Sequence, residues 1–237
     1  MALPPSDHDE AFLREVDEGV RRDEMEAKAK RYGPQVVGAS IVLIAAAGGF
    51  LFWQDHQRKL AADDTAALSQ VLDRAGAGDV ATAATQLVPL TKSSSEGVSA
   101  EARLTQAALL LQKNDSKGAS AIYQAVAADK DLAKPYRDLA LVRATQIDYD
   151  SLKPDEVIAR LAPLTKPGEP FFGSAGEMTG MAMIAKGQRA QAGQLFAQIA
   201  GDKTVPDTLR SRAVQVAGSL GVDASASMPD TAAAPAS

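Results

Sequence analysis

The stretch from Tyr32 to Gln54 carries no charged side chain. Inside it, Val36 to Trp53 reads VVGASIVLIAAAGGFLFW, eighteen residues that are nearly all apolar or small. As a helix rising about 1.5 Å per residue the run is roughly 27 Å long, close to a bilayer hydrocarbon core of about 30 Å. Tyr32 and Trp53 bracket it where amphipathic rings settle at a membrane interface. Pro34 stands near its start, where a missing N–H costs a helix little. A buried core helix seldom keeps so uninterrupted an apolar surface. A cleaved signal peptide is the other rival, with Ala45-Ala46-Ala47 imitating a cleavage site. However, 35 residues precede Val36, too many for a normal n-region, and Phe50-Leu51-Phe52-Trp53 continues the run past that site. The reading is therefore an uncleaved transmembrane signal anchor over 33–54, marked by Tyr32, Val36 and Trp53.

Basic residues near the ends set its direction. Arg21, Arg22, Lys28, Lys30 and Arg31 precede the run, whereas only Arg58 and Lys59 follow closely. This asymmetry places residues 1–32 in the cytoplasm and the remainder outside. Within the tail, Phe12, Leu13, Val16 and Val20 recur at helical spacing as a short apolar stripe. Glu18–Arg22, Glu24–Lys28 and Glu26–Lys30 support a solvated helix. Two readings stand for the stripe: a plain juxtamembrane helix, or a docking site using Phe12, Leu13 and Val16.

Beyond the run the chain repeats itself. Gln112–Lys130 aligns without gaps to Ala185–Lys203, matching Ala119 to Ala192, Ile122 to Leu195, Tyr123 to Phe196 and Val126 to Ile199 at an offset of 73. Leu87-Val88-Pro89-Leu90-Thr91-Lys92 recurs as Leu161-Ala162-Pro163-Leu164-Thr165-Lys166 at an offset of 74. Together these registers make Ala83, Ala119, Val157 and Ala192 equivalent, about 36 residues apart. Each unit accommodates two helices. First helices are expected at 57–75, 98–112, 132–147 and 172–186, and second helices at 79–92, 116–129, 154–166 and 189–200. A closing helix is expected at 206–219. Small residues at the equivalent positions let paired helices approach, while Tyr123 and Phe196 fill the groove one turn later. Four stacked hairpins bury what one cannot. A generic Ala-rich bundle is the plainer alternative, but two related offsets favour a helix-hairpin solenoid over 55–221, nearest in length to the tetratricopeptide class. The fold class is all-α. Residues 222–237 are Ala-, Ser- and Pro-rich without periodicity and read as a disordered tail.

Composition excludes most chemistry. The chain has no Cys, so it offers no disulfide, thiolate metal site or cysteine nucleophile. Its two His, His8 and His56, read as solvated, and no metal or cofactor site is expected. The net charge of −5 argues against a nucleic-acid partner. No G-x-S-x-G elbow, phosphate loop or G-x-G-x-x-G occurs. Asp148, Asp150, Asp155 and Glu156 lack the alternation and central Gly of a calcium loop and read as turn and cap residues. With no nucleophile–base pair to draw, an enzyme is not expected. Phe171-Phe172 with Met178, Met181 and Met183 is read as core packing, with a Met-lined adaptable groove as the sharper alternative.

The tail text Phe12-Leu13-Arg14-Glu15-Val16-Asp17-Glu18, with Arg21-Arg22 and Lys30-Arg31-Tyr32-Gly33, resembles a family of single-pass proteins with a periplasmic tetratricopeptide-like domain. That family includes the ancillary (YfgM-like) subunit of the Sec translocon. The resemblance spans about residues 11–220 and implies an inner-membrane, N-in protein in the bacterial envelope. It further implies Sec translocon association and chaperone-like handling of periplasmic or secretory clients. A structural adaptor for envelope or cell-division assembly, binding no client chain, is the alternative.

Overall fold

The computed structural model describes the backbone of residues 7–228 and the side chains of 30–31 and 43–228. The chain divides into two compact units, Met1–Lys59 and Leu60–Ser237. Every regular element among the described residues is helical.

The first unit is the N-terminal part of α1 (Asp7–Gly76). The sequence suggested three separate helices here: tail, span and first repeat helix. One continuous helix stands in their place, because the polar residues after Trp53 are good helix formers and neither Gly nor Pro stands between Gln54 and Ala75. Leu43, Ile44, Phe50, Leu51, Phe52 and Trp53 are all more than half exposed along it. The Phe50 and Trp53 rings lie 6.3 Å apart. Among the described residues, no helix is long and apolar enough to cross a membrane. The beginning of the expected span, residues 33–42, lies outside the described side chains.

In the second unit the end of α1 is followed by α2 (Val80–Leu90), α3 (Glu96–Gln112), α4 (Ser116–Ala128), α5 (Lys134–Asp148), α6 (Pro154–Leu161), α7 (Phe172–Ala185), α8 (Arg189–Gly201) and α9 (Asp207–Ser219). These lie close to the intervals expected from the repeats. The main departure is α6, which stops at Leu161 instead of 166. Pro163 has no N–H to continue the ladder, and Ala162–Leu164 tightens into a 3₁₀ turn. From α2 to α9 each helix packs on the next, and α3, α5, α7 and α9 also pack on the helix two along. Hairpins thus stack with alternate helices side by side.

Three of the four hairpin turns share one device. Gly78, Asn114 and Gly187 take positive φ (89°, 61° and 79°), and each stands five residues before the equivalent small position. The next N–H reaches back to a helix carbonyl: Asp79 to Arg74, Asp115 to Leu110 and Gln188 to Met183, at 2.9–3.0 Å. This closes the preceding helix and satisfies its last carbonyls. The following helices start on side-chain caps where the sequence supplies them, Asp79 accepting from Thr82 N–H and Asp115 from Gly118 N–H. The α5–α6 turn differs. Tyr149–Ser151 forms a 3₁₀ turn, and Leu152 is extended.

Apolar burial follows the repeat. Ala83, Ala119, Val157 and Ala192 are buried, as are Leu87, Tyr123, Leu161 and Phe196 four residues later. Leu90, Val126, Leu164 and Ile199, seven residues on, are buried too. A small, a bulky and an aliphatic side chain on one helix stripe therefore recur four times. In the last hairpin the pattern is complemented by glycine. A Cβ at Gly176 would stand 2.9 Å from Ile199 Cδ1, and one at Gly180 would stand 2.6 Å from Phe196 Cε2. Thus α7 supplies hollows for the large side chains of α8.

Past α9 the chain packs back on the last hairpin over residues that composition placed at the start of a disordered tail. Gly221 (φ 83°) turns it back, and Val222 N–H bonds to Ala217 O. Val222 and Ala224 pack on the last core cluster. Arg210 donates to Ala200 O and Ser227 O, tying this strap to α8 and α9. A Cβ at Gly193 would meet Val222 Cγ2 at 2.7 Å, so glycine makes the strap's seat on α8. Residues 229–237 lie outside the described residues.

Candidate binding groove

Because α5, α7 and α9 pack side by side, their outward faces define a groove. It encloses about 540 Å³ and is lined by Gln146, Tyr149 and Asp150 from the end of α5 and the turn after it, Glu177, Met178 and Met181 from α7, and Arg212 and Val216 from α9. That volume falls within the roughly 300–1,000 Å³ of small binding clefts. Met181 is 47 % exposed, and the partly buried Met178 lies one turn away. The methionine cluster is thus divided between the two roles the sequence left open. Phe172 is fully buried core, Met178 and Met183 pack against core clusters, and Met181 opens into the groove.

Polar groups fix the groove's walls. Glu177 holds Arg212 across α7 and α9 through both carboxylate oxygens, with Arg212 Nη2 donating to Oε2 at 2.7 Å. This fork spends the charge of both partners on each other, and it raises the Arg212 pKa. The Tyr149 hydroxyl donates to Met178 O at 3.3 Å, bracing α5 against α7. Burial pushes the Tyr149 phenol up, and the Asp150 carboxylate beside it adds to the shift. Asp150 itself is exposed and makes no ion pair among the described residues.

A second polar centre lies between α4, α5 and α6. Asp148 accepts from Ser120 Oγ at 2.7 Å, Gln124 Nε2 at 2.9 Å and Arg160 Nη1 at 3.0 Å. It ties α4 of the second hairpin to the α5–α6 turn of the third and is a structural clasp. Two shallow depressions flank it, one reaching Ser116 and Ser151, the other Leu141 and Ala144.

The six repeat-packing positions, Ala83, Ala119, Tyr123, Val157, Ala192 and Phe196, are all buried and none reaches the groove. Trp53 is exposed in the first unit. Tyr32, Val36 and the stripe Phe12, Leu13 and Val16 lie outside the described side chains. His56 is exposed. Among the described residues no three His, Cys, Asp or Glu side chains gather to hold a metal. Sequence reasoning missed Gln146, Tyr149, Glu177, Arg212 and Val216 as groove residues. The available signal was the spacing of 35 between Glu177 and Arg212, which is one repeat. Lys134–Glu169 has the same spacing, and the bond from Gly168 N to Asp202 spans 34.

Residues 29–216 match the family model of the tetratricopeptide repeat-like domain. No curated protein and no solved structure matches the chain.

Proposed function

The chain belongs to the tetratricopeptide repeat-like domain family, and on that premise we propose that it is a membrane-anchored, non-catalytic scaffold that binds other proteins outside the cytoplasm. We further propose that it serves as an accessory, chaperone-like subunit of the Sec translocon. The observation that carries the binding role is the α5–α7–α9 groove. There a half-exposed Met181 and a spent Glu177–Arg212 pair leave apolar surface with no partner. The exposed apolar side chains from Leu43 to Trp53 support the anchor, since such a row on one helix calls for lipid or an apolar partner. The tail text from Phe12 to Gly33 supports the choice of machine. Tethering the groove to one membrane raises its effective concentration beside whatever crosses there.

Crosslinking in intact membranes followed by mild-detergent pull-down tests this. Translocon subunits and emerging secretory chains are expected in the eluate, and their absence overturns the assignment. Outer-membrane or peptidoglycan machinery in their place favours the structural adaptor. Replacing Phe12, Leu13 and Val16 with Ser is expected to weaken recovery of the membrane complex. Unchanged recovery removes the docking stripe.

A further inference from the structure

Building on the scaffold reading, we infer that the α5–α7–α9 groove selects extended peptide segments in which an apolar side chain stands two residues from a lysine or arginine, on the same face of the segment. The apolar requirement comes from Met178 and Met181 of α7 and Val216 of α9, which make an apolar wall-to-wall lining in part of the groove. Methionine is unbranched and polarisable, so this lining adapts to side chains of different shape instead of demanding one. The charge requirement comes from the accounting of ions around it. Glu177 and Arg212 satisfy each other across the floor and leave no net charge there. Asp150 is the anion left over, standing at the end of the groove beside Tyr149.

A cation is also carried on α5. Arg143 lies two turns earlier on α5, and its guanidinium donates to Gln146 Oε1 at 3.4 Å. Asp150 stands seven residues on, in the 3₁₀ turn that follows α5, about 10 Å further along at helical rise, so the positive and negative charges stand roughly three extended residues apart. The polarity gives the bound segment a direction, with its cation at Asp150 and its apolar side chain over Met181. Gln146, between the two ends, offers an amide that both donates to and accepts from a peptide backbone.

The test uses the full chain in detergent micelles, labelled at its six methionine methyl groups. It is titrated with short Gly/Ser peptides carrying one Leu-Lys, one Leu-Glu or one Ser-Lys pair, the two residues of each pair separated by one glycine. The Leu-Lys peptide is expected to shift the Met178 and Met181 methyl signals saturably, and about two- to fivefold more tightly than the Leu-Glu peptide, the range of an exposed ion pair. Asp150→Lys, an exposed site that leaves packing intact, is expected to reverse that order. Equal binding of the two leucine peptides, or an order unchanged in Asp150→Lys, overturns the charge rule. Equal binding of Ser-Lys and Leu-Lys overturns the apolar rule. If no peptide moves either methyl signal while crosslinking still recovers a membrane partner, this inference falls and the scaffold reading stands. If the titration succeeds and crosslinking recovers nothing, the reverse holds.

Discussion

The ring of Phe196 rests against the bare backbone of Gly180, so closely that a Cβ at that position would stand 2.6 Å from Cε2. Phe196 is buried, so its ring has nowhere to retreat. Gly180→Ala gains about 0.5–1 kcal/mol of helix-forming entropy but overpacks the core at a cost of about 1–3 kcal/mol. The second effect wins, and denaturant unfolding of the full chain is expected to show a net loss of about 1–2 kcal/mol. Gly218→Ala, in α9 with no atom within 4 Å of the added carbon, is the control and is expected to gain stability. A stable Gly180→Ala would mean that α7 and α8 are not in such close contact.

The hairpin turns make a separate prediction. A Cβ on Gly187 would meet no atom within 4 Å, so any cost there comes from backbone strain alone. At φ 79° an L side chain costs about 1–2 kcal/mol, and Gly187→Ala should lower stability by about that amount. Asn114 already holds the same place at φ 61°, where its short polar side chain is tolerated. Asn114→Val is therefore expected to cost as much as Gly187→Ala, and Asn114→Gly to be neutral or mildly stabilising. Both are read from the same unfolding curves.

Much of this was legible in the sequence, and the reasons are specific. Matched text around Ala119 and Ala192 marked equivalent buried positions because a helix stripe must repeat when hairpins stack. Gly187 and Asn114 suit turns because few other residues accept their backbone angles. The end of α6 was missed because Leu161-Ala162-Pro163 looks like Leu87-Val88-Pro89, yet α2 continues through its proline while α6 tightens at its own. The groove was only half legible. Met181 drew notice by composition, but its neighbours Asp150, Glu177 and Arg212 come from three elements. Nothing local in the sequence says that they meet.

Asp148 binds three elements at once, and its loss should be felt accordingly. Asp148→Ala removes the acceptor for Ser120, Gln124 and Arg160. Hydrogen bonds to charged groups are worth about 1.5–3 kcal/mol when shielded. Arg160 is about one-third exposed, so solvent screening reduces its share. A total loss of about 1–3 kcal/mol is expected. Removing Arg160 alone should cost less, and a larger effect from Arg160→Ala than from Asp148→Ala would refute the clasp.

Acid should weaken the repeat unit. The hydrogen bond from Arg103 holds Asp129 below the ordinary carboxylate range, and bonds from Thr204 do the same for Asp202. A lowered folded-state pKa means that the stabilisation is fully present above the unfolded value, near 3.9. It is lost as pH falls through the folded value. Thermal melts followed by circular dichroism should therefore stay level from pH 7 to about 5 and decline below about 4. Asp129→Asn should make that decline shallower. A melting point that rises on acidification would contradict the sign.

An array of alike hairpins contains no internal instruction to stop, since each new unit offers the next the same kind of surface. The strap after Gly221 supplies one. With Val222 seated on Gly193 and Ser227 held by Arg210, apolar surface on α8 that a further hairpin would have been needed to bury is already satisfied. A few residues thereby act as a full stop. They close off the array at that end, and there they let crowded copies remain separate bodies instead of continuing into one another as a fibre.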